Sequence, residues 1–296
     1  MTFFKTDEKD LLVPSVSVAI PCFNSGLYLE EAIASVQRQT YTDWEIVIVD
    51  DGSTDTLTRD VLRNLEQRGD PQIHIFYQSN SGPAAARNMA IAHATGQYIL
   101  PLDADDTIEP GYMAQAIPVL DANPEIGIVY CLAQKFGAET GPWGLPSFSY
   151  EQMAVDNVIF CTAFFRRTDW ETVNGFSQSL VYGMEDYDFW LKILTLGRNV
   201  YQIRERLFNY RINKQSRTTR FQEDRASVVA TYAEIFRNNQ KYFAKYAEAV
   251  YEYRFQLERS GVKYWVATRL RRFPFLYALA RSAYRHVKKV FVAVPK

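Results

Sequence analysis

The hydrophobic positions fall into two alternating patterns through residue 102. Val16-Ser17-Val18-Ala19-Ile20 reads as a buried strand, and Glu45-Ile46-Val47-Ile48-Val49, nearly continuous in its apolar character, as a strand covered on both faces. Ile73–Tyr77 and Tyr98–Leu102 read as further strands. Between them, Leu29, Ala32, Ile33 and Val36, then Leu57, Val61, Leu62 and Leu65, repeat at helical spacing. Pro83 opens a third helix that runs to Ala94, in the first turn where proline is tolerated. This β-α-β-α-β-α-β order predicts an α/β fold with a mostly parallel, Rossmann-like central sheet flanked by helices.

Each strand ends in polar residues, and a parallel sheet brings those ends to one edge. Three loops converge there: Pro21 to Gly26, Asp50 to Asp55, and Asp103 to Asp106. In the last, an apolar run gives way to three carboxylates in four residues. Unpaired charges are too costly to bury as core. They form a solvated turn or a cation site, and Asp103 and Asp105 are spaced to reach one hard divalent ion, Mg²⁺ or Mn²⁺, shared with a phosphate ligand. Arg87, early in its helix, either complements phosphate or makes a surface ion pair. A Gly-x-Gly-x-x-Gly fingerprint and a P-loop are both absent.

The second half is less regular. Ile126–Leu132 and Val158–Phe165 read as strands, and Gly137–Ser149 as a long loop able to cover a site. Gly175-Phe176 closes a short helix. Gly183-Met184-Glu185-Asp186 opens another, which carries Asp188 and Trp190. Acidic residues in a first turn suit the helix dipole, and a carboxylate there can also act as general base for a hydroxyl. Tyr210–Arg220 is basic and reads as a lid or as solvated surface. Phe221–Ser260 reads as one or two long helices packed on the main domain or a second subunit, making a homo-oligomer possible. The predicted division is residues 1–220 as the site-bearing domain and 221–296 as a helical extension.

Composition adds compartment and partners. The 296 residues are 47% hydrophobic and 23% charged, enough for a packed core. Cys22, Cys131 and Cys161 sit apart in apolar runs and read as reduced, buried thiols. Met1–Asp10 shows no apolar leader core, and no run approaches the roughly 18 apolar residues of a membrane span. A cytoplasmic protein is expected. The net charge of -1 conceals a basic tail: Gly261–Lys296 holds Lys263, Arg269, Arg271, Arg272, Arg281, Arg285, Lys288, Lys289 and Lys296, and no acid. Aromatics interleave with these charges, so residues 262–296 predict peripheral attachment to an anionic membrane surface at the inner face of the cell membrane. A protein interface is the rival; nucleic acid is not expected, since no recognition motif is present.

Together the motifs resemble the family 2 glycosyltransferases. The resemblance rests on Val16–Asn24, Ile48–Asp55, Gly82–Asn88, Leu102–Asp106 and Gly183–Asp186, and covers roughly Ser15 to Arg220. It implies a GT-A fold and inverting transfer of a sugar from a nucleotide-diphosphate donor, typically a UDP-sugar, to a glycan or lipid-linked acceptor. By matching positions, Pro21, Phe23, Asp51, Arg87 and Asp103 would hold the nucleotide, and Asp103 and Asp105 the cation. Asp186 would be the base, with Glu185 and Trp190 supporting it or the acceptor. Processive members carry Gln-x-x-Arg-Trp, which is absent here, so addition of one or a few sugars is expected. Asn213 stands where many relatives have a histidine near the metal. The alternatives are a non-catalytic nucleotide-sugar-binding module and, less well matched, a nucleotidyltransferase.

Overall fold

A computed structural model describes residues 14–213 and 224–256. The predicted alternation is present. β1 (Val16–Cys22) lies between β2 (Trp44–Asp50) and β4 (Tyr98–Pro101), parallel to both, and β3 (Ile73–Tyr77) extends the sheet beyond β2. The connections are α1 (Gly26–Gln37), α2 (Thr56–Arg68) and α3 (Pro83–His93). Every residue of β2 is buried: Ile46–Val49 form its apolar run, and Glu45 is buried with hydrogen bonds from Ser17 and Thr95. The caps of α2 follow its sequence: Asp55 accepts the Thr58 backbone N–H at 2.8 Å, and Gly69 ends the helix in the left-handed region.

β1 leads outward to β2 and β3, and the chain then returns to β4 on the other side of β1. That reversal opens a crevice at the carboxyl ends of the strands, where ligands bind in open α/β sheets. The sheet continues past β4 in a different style. β8 (Phe164–Arg166) is antiparallel to both β4 and β6 (Ile126–Gly137). β9 (Asn199–Ile212) runs parallel to β6, and β5 (Thr107–Ile108) is antiparallel to β9. The complete order is β3-β2-β1-β4-β8-β6-β9-β5, with β7 (Gly141–Trp143) paired to β6.

Helices α4 (Tyr112–Ala122), α5 (Tyr150–Val155), α6 (Arg167–Thr172) and α7 (Glu185–Thr195) fill the second half. α8 (Arg225–Asn238) and α9 (Gln240–Lys245) follow within the first of two compact units, which ends at Lys245. In the second unit, from Tyr246, residues 247–256 are helical.

Three expectations change. Only Phe164–Arg166 of the apolar stretch from Val158 is strand; Val158, Ile159, Phe160 and Ala163 are buried in irregular backbone. Gly137–Ser149 is not all loop, because Gly141–Trp143 pairs with Ala133–Lys135. Tyr210–Ile212, read as the start of a basic lid or solvated surface, is the end of β9. The rest of that segment, residues 214–220, and the whole basic tail, 262–296, lie outside the described residues. Cys22, Cys131 and Cys161 are free thiols. Among the described residues, no helix is long and apolar enough to cross a membrane.

Candidate active site

The three strand-end loops line one cavity of about 390 Å³, walled by Pro21, Phe23, Asp51, Arg87, Asp103 and Asp105. All five residues predicted to hold a nucleotide therefore share one cavity with Asp105. Asp51 is buried and already much engaged. Its Oδ1 accepts Gln78 Nε2 and the Ser81 N–H, both at 2.7 Å, and its Oδ2 accepts the Gly82 N–H at 2.9 Å. A carboxylate has about four acceptor positions, so roughly one is left for a ligand. Asp51 thus shapes the loop before α3 as well as facing the cavity. Gly52 makes this possible: its φ is +71° and a Cβ there would lie 2.9 Å from the Asn80 nitrogen.

Arg87 sits at the back of the cavity and is almost fully buried. One guanidinium nitrogen donates to Asp103 Oδ1, the other to Glu185 Oε1 at 2.6 Å. This answers the alternative left open by the sequence: Arg87 makes ion pairs, but buried ones that join the Asp103 loop to the start of α7. The charge-assisted pairs and the neighbouring carboxylates raise its pKa further, against the opposing effect of burial.

Arg87 and Asp103 also line a second cavity of about 480 Å³. Glu185, Asp186 and Asn157 are polar members of its wall; Trp143, Phe160 and Tyr232 are aromatic ones. Asp186 Oδ1 accepts the Tyr187 N–H at 2.8 Å, and Oδ2 accepts Asn157 Nδ2 at 3.2 Å. Burial, then the charge of Glu185, pushes the Asp186 carboxyl up to about 6, with Arg87 opposing. A group poised there is ionised at neutral pH and still basic enough to take a proton. The turn that presents it is strained: Met184 has φ +64° directly after Gly183 at +136°.

The carboxylates of Asp103 and Asp105 face the first cavity together. Burial, then the Asp103 charge, pushes Asp105 up to about 6. Two hard oxygen donors whose proximity resists ionisation fit a divalent cation, which would relieve the repulsion. No group of three or more His, Cys, Asp or Glu side chains able to hold a metal occurs among the described residues, so a phosphate ligand and water would complete the shell. Asn213 Nδ2 donates to Asp105 Oδ2 at 2.8 Å, so the residue in the histidine position steers a carboxylate.

A family model, glycosyl transferase family 2, matches residues 17–188. The chain belongs to this family. It is 31% identical over 208 residues to the putative teichuronic acid biosynthesis glycosyltransferase TuaG of Bacillus subtilis, covering 69% of this chain and 81% of that one. It is 30% identical over 190 residues to a hyaluronan synthase of Pasteurella multocida, covering 63% of this chain but 19% of the synthase. The chain thus spans about a fifth of that relative's length. Solved structures share the fold. TarS residues 1–349 of S. aureus in complex with UDP has a TM-score of 0.62 at 20% identity, covering 80% of this chain and 70% of that one. The mannosyltransferase PcManGT of Pyrobaculum calidifontis, in complex with GDP-Man and Mn²⁺, has a TM-score of 0.56 at 20% identity, covering 95% of this chain and 88% of that one. The architecture is accordingly the GT-A type.

Within this family fold, two residues fall differently from expectation. Trp190 is fully buried against Phe165 and Phe189, behind the site, and lines neither cavity. Arg211, read as part of a basic lid or solvated surface, is nearly buried between Tyr28 and Phe136, 4.4 and 4.2 Å from their ring centres. Its Nε donates to the Asp105 carbonyl and its backbone N–H to Asp106 Oδ1, both at 2.7 Å. Arg211 therefore fixes the backbone of the acidic loop. Trp143 and Tyr232 were also missed as site residues, because they come from a small hairpin and from α8.

Proposed function

We propose that this protein is an inverting, metal-dependent glycosyltransferase that moves a sugar from a nucleotide-diphosphate donor, a UDP-sugar by preference, to a hydroxyl of a glycan or lipid-linked acceptor. The observation that carries the reading is the pair of cavities that share Arg87 and Asp103, one holding the predicted nucleotide residues and the other holding Asp186. A donor in the first would place its sugar at the shared wall, with the acceptor hydroxyl on the Asp186 side.

Asp186 takes the proton of that hydroxyl as its oxygen bonds to the anomeric carbon. The bond from that carbon to the diphosphate oxygen breaks, and the electron pair leaves with the nucleotide. One displacement inverts the carbon, so one base suffices where a retaining glycoside hydrolase needs two carboxyl groups. Asp103 and Asp105 would hold Mn²⁺ or Mg²⁺, which when bound offsets charge on the leaving diphosphate. Arg87 keeps Asp103 and Glu185 in register across the wall. The aromatic members of the second cavity, Trp143, Phe160 and Tyr232, suit the apolar face of a sugar ring. Lack of Gln-x-x-Arg-Trp supports addition of one or a few sugars. The acid-free basic composition of residues 262–296 supports peripheral attachment at the cytoplasmic membrane face, which would favour a lipid-linked acceptor.

The test is a donor panel. UDP-, GDP- and dTDP-sugars are incubated with the protein in Mn²⁺ or in chelator, with glycan and lipid-linked acceptors, and nucleotide diphosphate release is recorded. Cation-dependent release from one donor class is expected. Absence of binding to every donor would overturn the reading.

A further inference from the structure

The turn Asp156-Asn157 follows α5, both residues line the second cavity, and Asn157 reaches Asp186. The amide of Asn157 is oriented at both ends. Its Oδ1 accepts the Ile159 backbone N–H at 3.2 Å, which leaves Nδ2 to face Asp186 Oδ2 at 3.2 Å. The reversed amide would set acceptor against acceptor and donor against donor. With the Tyr187 N–H on Oδ1, the carboxylate is held at both oxygens.

The turn is itself braced from α8. The Tyr232 hydroxyl donates to Asp156 Oδ1 at 2.9 Å. The far end of α8 is tied to α7, the helix of Asp186. Asp188 is fully buried and accepts Asn238 Nδ2 at 3.0 Å and Asn239 Nδ2 at 2.8 Å on its Oδ1. α8 lies beyond residues 17–188, the part matched by the family model. It nevertheless braces both partners of the Asn157–Asp186 contact.

We propose that Asn157 is a positioning residue for Asp186, held in place by the Tyr232–Asp156 hydrogen bond. Its amide donates to the ionised carboxylate and leaves the cavity-facing lone pairs for an acceptor hydroxyl. A donor to the charged form also favours that form. The inference rests on the reading of Asp186 as the base. The other groups around Asp186 are Glu185 on its own helix, Arg87 from α3, Asp103 after β4, Cys161 before β8 and Tyr232 from α8, with Asp156 in the same cavity wall. Substituting Asn157 leaves all of them in place.

The experiment reads Asp186 directly, by carboxyl ¹³C NMR titration of aspartate-labelled full-length protein. The signal is assigned by its loss in Asp186→Asn. The wild-type midpoint is expected near 6. Asn157→Ala should raise that midpoint by roughly 0.5–1 on the pH scale, Asn157→Asp by more, and Tyr232→Phe by less. Thermal melting checks that each variant is folded, and Asn157→Ser, with a smaller polar side chain, serves if alanine fails to fold. On a UDP-sugar that the wild type turns over, Asn157→Ala should lower the rate at pH 5 by roughly three- to tenfold, in step with its raised midpoint, with donor KM unchanged. A role in packing alone would lower stability and leave the midpoint in place; an unmoved midpoint in folded Asn157→Ala and Asn157→Asp overturns the proposal. A raised midpoint in a protein that turns over no donor would support Asn157's hold on Asp186 while failing the transferase reading.

Discussion

Arg87 and Glu185 form an ion pair of 2.6 Å in which both side chains are at most 4% exposed. A buried pair costs desolvation on both sides, so its presence is weak evidence for stability alone. Here it has a second carboxylate, Asp103, on the same guanidinium. The arrangement fixes the distance between the loop that faces one cavity and the helix that faces the other.

Removing the arginine should therefore have two effects. Arg87→Met leaves Glu185 buried without this cation, which costs about 3 kcal/mol in analogous cases. For a protein of this size that is a fall in melting temperature of roughly 6–12 °C. Calorimetric titration with UDP and Mn²⁺ should show weakened binding, because Asp103 loses its tether. Arg87→Lys should recover little, since an ammonium cannot present two forks to two carboxylates.

The raised pKa of Asp186 gives a prediction with opposite signs for activity and stability. The base must be ionised, so transfer should fall as pH drops through about 6. Stability runs the other way. The folded carboxyl holds its proton up to about 6 and the unfolded one only to near 3.8, so the folded state loses stability as pH rises between those values. Asp186→Asn removes that cost. It should be more stable than wild type at pH 8 by up to about 3 kcal/mol, and the gain should vanish below the unfolded pKa of 3.8, as read by thermal melts across the pH range.

Asn213 is expected to act through Asp105. Asn213→Ala removes the amide that orients Oδ2 and should weaken Mn²⁺ binding to the UDP-loaded protein by roughly tenfold, the usual scale for groups that orient a metal ligand. Titration of Mn²⁺ followed by its paramagnetic resonance signal measures this without turnover. Unchanged affinity would mean that Asp105 needs no such support.

The basic tail makes a prediction independent of the site. Full-length protein should sediment with vesicles containing phosphatidylserine and stay free of neutral vesicles, and removing residues 262–296 should abolish the difference. Each basic residue near an anionic surface contributes about 1 kcal/mol, so even partial engagement is measurable. Binding equal to both vesicle types, or to neither, contradicts the membrane reading.

The parallel half of the sheet was legible because burial on both faces writes a nearly continuous apolar run, as at Ile46–Val49 of β2, and because helices between such runs show their own period. The strand-end loops were legible by topology: Asp51, Asp103 and Asp105 had to meet once the strands were parallel. β9 was not legible. Its burial is irregular along 14 residues, with Arg204, Glu205 and Arg206 exposed, and it carries extra residues opposite Cys131–Ala133 of β6. Arg211 was hidden with it, since a basic residue near others reads as solvated until Tyr28 and Phe136 are seen on either side. Trp190 was misplaced for a simpler reason: it shares a face of α7 with Asp186, but Asp186 stands at the helix start while Trp190, one turn further on, is inside the core. Asn157 carried no signal, because its amide orientation depends on contacts with Ile159 and Asp186 that exist only in the fold.

The central claim is that binding and transfer are divided between two cavities at the Arg87–Asp103 wall. The most direct measurement compares wild type with Asp186→Asn on the donor that the wild type uses, recording both donor affinity and diphosphate release. Donor affinity should stay within about threefold of wild type while release falls by roughly 10²–10⁴-fold, the scale of a lost general base. Release near the wild-type rate in Asp186→Asn, with donor binding intact, would contradict it.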